Sequence, residues 1–156
     1  MTRWGIGPKF TLISVMVGLT ILIINLVFFP FFTFVLITRS VNIVLGIALI
    51  ILGLPVFIIP ALTIDRYVYE GKLCKTGIYS VLRHPIYGAW IVLIVPGVVL
   101  ITGCVLGILV PIFMYVLFKI LIVEEDRYLE HKFGEEFLEY RNRVGSVFPR
   151  LNYRKN

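Results

Sequence analysis

The chain has 156 residues, of which 59% are hydrophobic and 15% are charged, and its formal net charge is +6. Soluble domains carry about 25% charged residues, so this composition excludes an ordinary soluble domain and indicates one membrane-embedded unit. The basic residues are spread along the chain rather than gathered on one compact face, which is a poor pattern for nucleic-acid binding and a good one for contact with lipid headgroups.

Three uncharged runs predict the membrane spans. Residues 11–38 and 40–64 are each long enough to cross a hydrocarbon core of about 30 Å, which takes about 20 helical residues. The third run, 85–118, is too long for one crossing and fits a tight helical hairpin that turns at Thr102-Gly103. The predicted fold is therefore all-α: a polytopic membrane protein with about four transmembrane helices and a cytosolic C-terminal helical segment.

The positions of lysine and arginine predict the topology. Basic residues follow the second span and fill the tail, and the positive-inside rule then places both termini and the loop 65–84 in the cytosol. We expect an integral protein of the plasma membrane, or of the inner membrane in a prokaryote. Residues 1–64 are predicted to form a two-span hairpin. Residues 65–156 hold the loop, the second hairpin and the tail, in one structural unit with the first part.

The sequence RHPIY marks the start of the third span. Proline is favoured at the first helical position, so Pro85 begins the helix and His84 occupies its cap. The N–H groups of Ile86 and Tyr87 then lack acceptors within the helix, and such a helix start attracts carboxylates and phosphates. The simpler interpretation is a helix start at which Arg83 and His84 reach the lipid headgroups.

An acidic cluster, Glu124 to Asp126, follows the fourth span. Ionisable residues at the edge of a span invite a functional hypothesis, although a solvated acidic turn is the plain alternative. Carboxylates at the negative end of a helix are unfavourable, so we expect the helix to continue toward His131 and to end at Gly134. A second short helix is predicted from Glu135 to Arg143.

Both ends of a hairpin return to the same interface, so RHPIY and the acidic cluster should be neighbours in space. One supplies hydrogen-bond donors and the other carboxylates. Five tyrosines add aromatic faces that stabilise cations, namely Tyr67, Tyr69, Tyr79, Tyr87 and Tyr128. This set suits a zwitterionic ligand with a cationic centre and an aromatic end, and S-adenosylmethionine has all of these parts.

The sequence KLCKTGIYSVLRHPIYGAW, followed by EED and then HKFGEEFLEYRNRVGSVFP, resembles the isoprenylcysteine carboxyl methyltransferases and related small membrane methyltransferases, including phospholipid N-methyltransferases. The resemblance covers residues 72–149 and implies an S-adenosylmethionine site at the cytosolic interface, with a lipid substrate entering from the bilayer. It implies cofactor contacts from Lys72, Leu73, Cys74, Tyr79, His84, Pro85, Ile86, Tyr87 and Glu125, with Glu124 as the supporting neighbour of Glu125.

One departure from the family pattern concerns the methyl acceptor. The carboxyl methyltransferases have an arginine one turn before the acidic residue, and this chain has Leu121, with Lys119 as the nearest cation. The acceptor could be an amine, a thiol or another carboxylate. Methyl transfer is an in-line displacement that needs no metal. Glu124 is one candidate proton acceptor and water is the other. Lys119 or Arg83 could contact an anionic headgroup of a lipophilic or lipid-modified acceptor.

Two other functions stay open at the level of sequence. Membrane sterol and enone reductases that bind NADPH share the HPxY and FGxxF-like pattern but are usually longer. A small scaffold or a transporter subunit is the non-enzymatic alternative. Transporters typically carry polar residues near the bilayer midplane, whereas these spans offer Asn25, Asn42 and a few hydroxyls. The sequence does not define an oligomeric state.

Overall fold

The structure is a computed structural model that describes residues 5–28, 35–36 and 38–150. These residues form helices and connecting segments, without a β-strand among them. Four helices are long and apolar enough to cross a membrane, and a short fifth helix follows. They are α1 (Gly7–Phe28), α2 (Arg39–Glu70), α3 (Pro85–Thr102), α4 (Leu109–Phe133) and α5 (Glu135–Arg143). The prediction of an all-α protein with four spans is confirmed.

The four long helices alternate in direction. The N–H of Ile6, just before α1, donates to Glu125 near the end of α4. At the other end of α1, Asn25 Oδ1 accepts from the N–H of Leu106 in the turn between α3 and α4. The run 85–118 therefore crosses twice, as predicted, and the start of α1 lies at the same end of the molecule as the end of α4. That this end faces the cytosol remains a prediction.

The ends of α3, α4 and α5 follow from proline and glycine. Pro85 occupies the first turn of α3, where a backbone N–H has no partner within the helix, so the absence of this N–H in proline costs no hydrogen bond. Gly103, with φ +67°, ends α3, and Gly134, with φ +55°, separates α4 from α5. Glycine adopts these positive φ values without steric cost. The predicted hairpin turn at Thr102-Gly103 and the predicted helix Glu135–Arg143 are both confirmed.

The second helix extends further than the sequence suggested. Residues 65–70 were expected in a loop, but α2 continues through them to Glu70. Hydropathy falls where charged residues begin, whereas a helix ends only where its hydrogen bonding ends. Arg66 and Glu70, one turn apart, form an ion pair at 3.0 Å, and Gly71 terminates the helix in a left-handed conformation. The predicted division after residue 64 therefore falls inside α2.

The helices pack in two pairs, α1 against α4 and α2 against α3. The second pair crosses at two glycines: a Cβ on Gly46 would lie 2.6 Å from the Gly97 carbonyl oxygen, and a Cβ on Gly97 would lie 2.8 Å from the Gly46 carbonyl oxygen. Small residues allow such close approach of helices in membranes. Between α1 and α4, a buried apolar cluster includes Phe10, Met114 and Phe118.

The chain after α5 returns to the start of α3. Leu82 and Gly145 form an isolated parallel bridge. The N–H groups of Arg83 and His84 donate to the carbonyls of Gly145 and Ser146 at 2.8 and 3.0 Å. This return segment fixes the backbone of the loop that precedes Pro85, so the tail helps to position the predicted site.

Candidate functional site

A cavity of about 890 Å³ lies at the end of the molecule where α1 begins and α4 ends. Its volume falls within the range of small-molecule sites, about 300–1,000 Å³. All nine residues that the resemblance implied as cofactor contacts line it: Lys72, Leu73, Cys74, Tyr79, His84, Pro85, Ile86, Tyr87 and Glu125. The hairpin thus brings the two predicted polar segments together around one space.

Glu125 is the carboxylate at the centre of this arrangement. Its Oε2 accepts from the N–H of Ile6 at 3.2 Å and from the hydroxyl of Tyr87 at 3.5 Å. Its Oε1 lies 3.6 Å from Nδ1 of His84, whose side chain is 5% exposed. A carboxylate accepts several hydrogen bonds through its two oxygens, so Glu125 retains capacity for a ligand donor.

Asp126 has a role that the sequence did not reveal. Nη1 of Arg83 donates to both its carboxylate oxygens, at 2.9 and 3.0 Å, and Nε2 of His84 lies 3.4 Å from its Oδ1. Arg83 and His84 were considered as headgroup contacts, but both side chains are largely buried and face carboxylates of α4. Arg83 lines the cavity, but its charge is balanced by Asp126 rather than left for an anionic substrate.

The loop 71–84 is anchored from two sides. The hydroxyl of Tyr140, on α5, donates to the carbonyl of Tyr79 at 2.6 Å. The hydroxyl of Tyr79 donates to the carbonyl of Pro60, in α2, at 3.3 Å. Burial raises the pKa values of Tyr79, Tyr140 and the Cys74 thiol, so these three groups are protonated at neutral pH. They shape the wall of the cavity and add no charge to it.

Three of the five tyrosines proposed as aromatic faces line the cavity, namely Tyr79, Tyr87 and Tyr128. The other two do not. Tyr67 pairs its hydroxyl with Thr76, and Tyr69 is 91% exposed. The reason is the unexpected extension of α2, which fixes both residues on the last turns of a helix rather than in a loop that could fold over the site.

Glu124 and Lys119 lie outside the cavity, contrary to the roles suggested for them. The Glu124 side chain is 66% exposed and lies 4.0 Å from Lys9, and Lys119 is exposed on α4. Successive residues on a helix point about 100° apart, and this step turns the Glu124 side chain toward solvent and Lys9 while Glu125 faces the cavity. Leu121, where carboxyl methyltransferases have an arginine, packs against the buried cluster between α1 and α4.

A second cavity, of about 320 Å³, lies between α1, α3 and α4. Its lining among the described residues is uncharged and mostly apolar, with the hydroxyl-bearing residues Thr11, Ser14 and Thr102. It shares four lining residues with the larger cavity: Phe10, Thr11, Val15 and Trp90. The two cavities therefore adjoin, one bordered by polar and charged groups and one by the hydrocarbon-facing helices.

The described part of the chain holds no group of three or more His, Cys, Asp or Glu side chains that could bind a metal ion. Cys74 and Cys104 are both free and buried. Asn25 and Asn42, the amides within the spans, accept hydrogen bonds from the backbone N–H groups of Leu106 and Leu36. They thus stabilise the chain at helix ends rather than forming a polar path along the spans.

Comparison with known proteins identifies the family. Protein-S-isoprenylcysteine O-methyltransferase B of Arabidopsis thaliana is 31% identical over 81 residues, which are 52% of this chain and 41% of that protein. The Homo sapiens protein-S-isoprenylcysteine O-methyltransferase is 32% identical over 77 residues, 49% of this chain and 27% of the relative. The matches thus span less than half of each relative, and no solved structure matches the chain significantly.

The model of the phospholipid methyltransferase family matches residues 41–136. This match begins well before residue 72, where the sequence resemblance started, so it includes all of α2 after its first two residues. It contains the loop 71–84, the α3–α4 hairpin and Glu125, which together form most of the larger cavity. The chain belongs to the phospholipid methyltransferase family.

Proposed function

We propose that this protein is an integral-membrane methyltransferase that transfers a methyl group from S-adenosylmethionine to an acceptor with an apolar chain. The observation that carries the proposal is the meeting of the loop 71–84, the start of α3 and Glu125 around one cavity. Family membership and the names of the isoprenylcysteine O-methyltransferase relatives support the reaction class. The four apolar helices support the membrane location.

The residues of the larger cavity fit S-adenosylmethionine chemically. Glu125 contributes a carboxylate, and Tyr79, Tyr87 and Tyr128 contribute aromatic side chains. Carboxylates and aromatic faces both favour a cationic group. The start of α3 also borders the cavity, and its first N–H groups have no acceptors within the helix, which suits an anionic group.

The protein's own contribution to methyl transfer is orientation and exclusion of water. When bound, S-adenosylmethionine supplies an activated methyl group on its sulfonium. Glu125 binds a donor or cationic group of the cofactor, while Phe10 and Trp90, which line both cavities, shield the junction from water. The buried pair of Arg83 and Asp126 keeps the loop attached to α4. Correct orientation of two reactants contributes several kcal/mol.

The smaller cavity accommodates the apolar chain of the acceptor in this proposal. Its lining consists of side chains from α1, α3, α4 and the turn between α3 and α4, and it lies within the membrane-spanning part of the molecule. An acceptor whose chain lies here presents its reactive group at the shared residues Phe10, Thr11, Val15 and Trp90. These four carry no charge, which favours an amine or thiol over a carboxylate as the nucleophile.

The direct test is calorimetric titration of the detergent-purified protein with S-adenosylhomocysteine and, separately, with NADPH. We expect S-adenosylhomocysteine to bind and NADPH not to bind. The Glu125→Ala variant should lose binding, because the carboxylate of the cavity is removed. Glu124→Ala is the matched control, since it removes a neighbouring carboxylate that lies outside the cavity, and it should bind as the wild type does.

Three results contradict the proposal. Binding of NADPH alone indicates a reductase, and binding of neither ligand favours a scaffold. Unchanged affinity in Glu125→Ala shows that the site is elsewhere. The acceptor is then sought with tritiated S-adenosylmethionine and three lipophilic acceptors of one chain length, which end in an amine, a thiol or a carboxylate. Label on the carboxylate alone refutes the preference for an uncharged junction.

A further inference from the structure

The backbone just before α1 contacts the carboxylate that the proposed function assigns to the cofactor. The N–H of Ile6 donates to Oε2 of Glu125 at 3.2 Å, across 119 residues of sequence. The side chain of Ile6 is 1% exposed and belongs to the buried cluster that also contains Phe118 and Ile122. The turn Gly5-Ile6 is thus anchored by packing, and its N–H is directed at Glu125.

Glycine at position 5 makes this contact possible. Its φ is +56°, a conformation that other residues adopt only with strain. A Cβ at this position would also lie 2.6 Å from Oε2 and 3.1 Å from Cδ of Glu125. Both the backbone conformation and the close approach therefore require that residue 5 has no side chain.

The contacts of Glu125 divide between its two oxygens. Oε2 accepts from Ile6 and from the hydroxyl of Tyr87. Oε1 lies 3.6 Å from Nδ1 of His84, which is beyond hydrogen-bond distance. One oxygen is thus fixed by the protein, and the other keeps its acceptor capacity on a residue that lines the larger cavity.

We propose that the Gly5-Ile6 turn is a positioning element of the cofactor site, which fixes Oε2 of Glu125 so that Oε1 meets the hydrogen-bond donors of S-adenosylmethionine. This inference rests on the proposed function and extends it to α1, which lies outside the matched family region. The turn does not contact the reacting atoms. It acts through Glu125, and its removal changes cofactor affinity rather than the chemistry of transfer.

The test compares two glycine substitutions, Gly5→Ala and Gly77→Ala. Gly77 is the matched control because its φ is +59°, an added Cβ would meet nothing within 4 Å, and this exposed residue of the loop does not line the cavity. Both variants carry the same kind of backbone strain, but only Gly5→Ala displaces Glu125. Titration with S-adenosylhomocysteine should give about tenfold weaker binding for Gly5→Ala, as expected for one hydrogen bond to a charged group, and unchanged binding for Gly77→Ala.

A second comparison separates positioning from general loss of structure. In a Glu125→Asp background the carboxylate is one methylene shorter, which relieves the collision with a Cβ at residue 5. Adding Gly5→Ala to the Glu125→Asp variant should weaken binding by less than about threefold. The effects of the two substitutions would then not add, which indicates that residues 5 and 125 interact directly. With an identified acceptor, Gly5→Ala should raise KM for S-adenosylmethionine and leave kcat unchanged.

The outcomes distinguish the two proposals. If the wild type binds S-adenosylhomocysteine and Gly5→Ala binds equally well, the positioning role is wrong and the proposed function stands. Equal weakening in Gly5→Ala and Gly77→Ala, or a full tenfold effect in the Glu125→Asp background, also overturns the positioning role. If the wild type fails to bind, the proposed function falls and this inference falls with it.

Discussion

Replacing Asp126 with alanine is predicted to destabilise the protein strongly. The substitution leaves the Arg83 guanidinium without the carboxylate that it contacts at 2.9 and 3.0 Å. The two side chains are only 10% and 18% exposed, so water compensates poorly. Nε of Arg83 already has no hydrogen-bond partner within the described part of the chain. Removing one partner of a buried pair costs ~3–5 kcal/mol, which corresponds to a decrease in Tm of ~6–20 °C.

Thermal unfolding in detergent measures this effect, with a thiol-reactive dye that reports exposure of the buried Cys74 and Cys104. Glu124→Ala is the control, because that side chain is largely exposed and surface substitutions usually change stability by less than ~0.5 kcal/mol. The double variant Arg83→Met, Asp126→Leu removes both charges and should recover most of the loss. If Asp126→Ala unfolds at the same temperature as Glu124→Ala, the pair contributes nothing and the reasoning is refuted.

The remaining predictions concern helix packing and the cavity wall. Gly97→Ala should destabilise the protein by ~1–3 kcal/mol, because its Cβ would lie 2.8 Å from the Gly46 carbonyl oxygen. Gly18→Ala is the control and should be harmless in the same thermal assay, since its Cβ would approach no atom closer than 3.8 Å. Equal melting temperatures of the two variants contradict the close helix crossing. Burial raises the pKa of the Cys74 thiol, so at pH 8 maleimide should label Cys74 more slowly in the folded protein than in the unfolded chain. Because the folded state retains the thiol proton more tightly, the free energy of unfolding should fall as the pH rises above ~8.5. S-adenosylhomocysteine should slow labelling of Cys74, which lines the larger cavity, and not of Cys104; equal protection of both cysteines would argue against a ligand at Cys74.

The helix ends after the loop were predictable because each depends on local chemistry. Pro85 begins α3, and Gly103 and Gly134 end the helices before them, since proline and glycine restrict or permit specific backbone conformations. The end of α2 was placed too early, although Gly71 terminates this helix through the same left-handed conformation. Charged residues mark the edge of the apolar region, but α2 continues past them to Gly71. The ion pair between Arg66 and Glu70, one helical turn apart, favours this extension.

The centre of the site was predictable only in part. Sequence spacing placed the acidic cluster opposite RHPIY, and the family pattern selected Glu125 for the cofactor. The pairing of Asp126 with Arg83 depends on the rotation of α4 about its axis, which hydropathy does not define when apolar residues surround the helix on all sides. The hydrogen bond from the N–H of Ile6 to Glu125 could not be predicted, because every residue type except proline has a backbone N–H. The two residues are also 119 positions apart in the sequence.

The geometry of the site shows how all four spans contribute to the larger cavity. Glu125 comes from α4, its hydroxyl partner Tyr87 from α3, and its backbone donor Ile6 from the turn before α1. The wall also includes Phe57 from α2. A division after residue 64 would separate Glu125 from Ile6 and Phe57, so the two parts of the chain form a site only together.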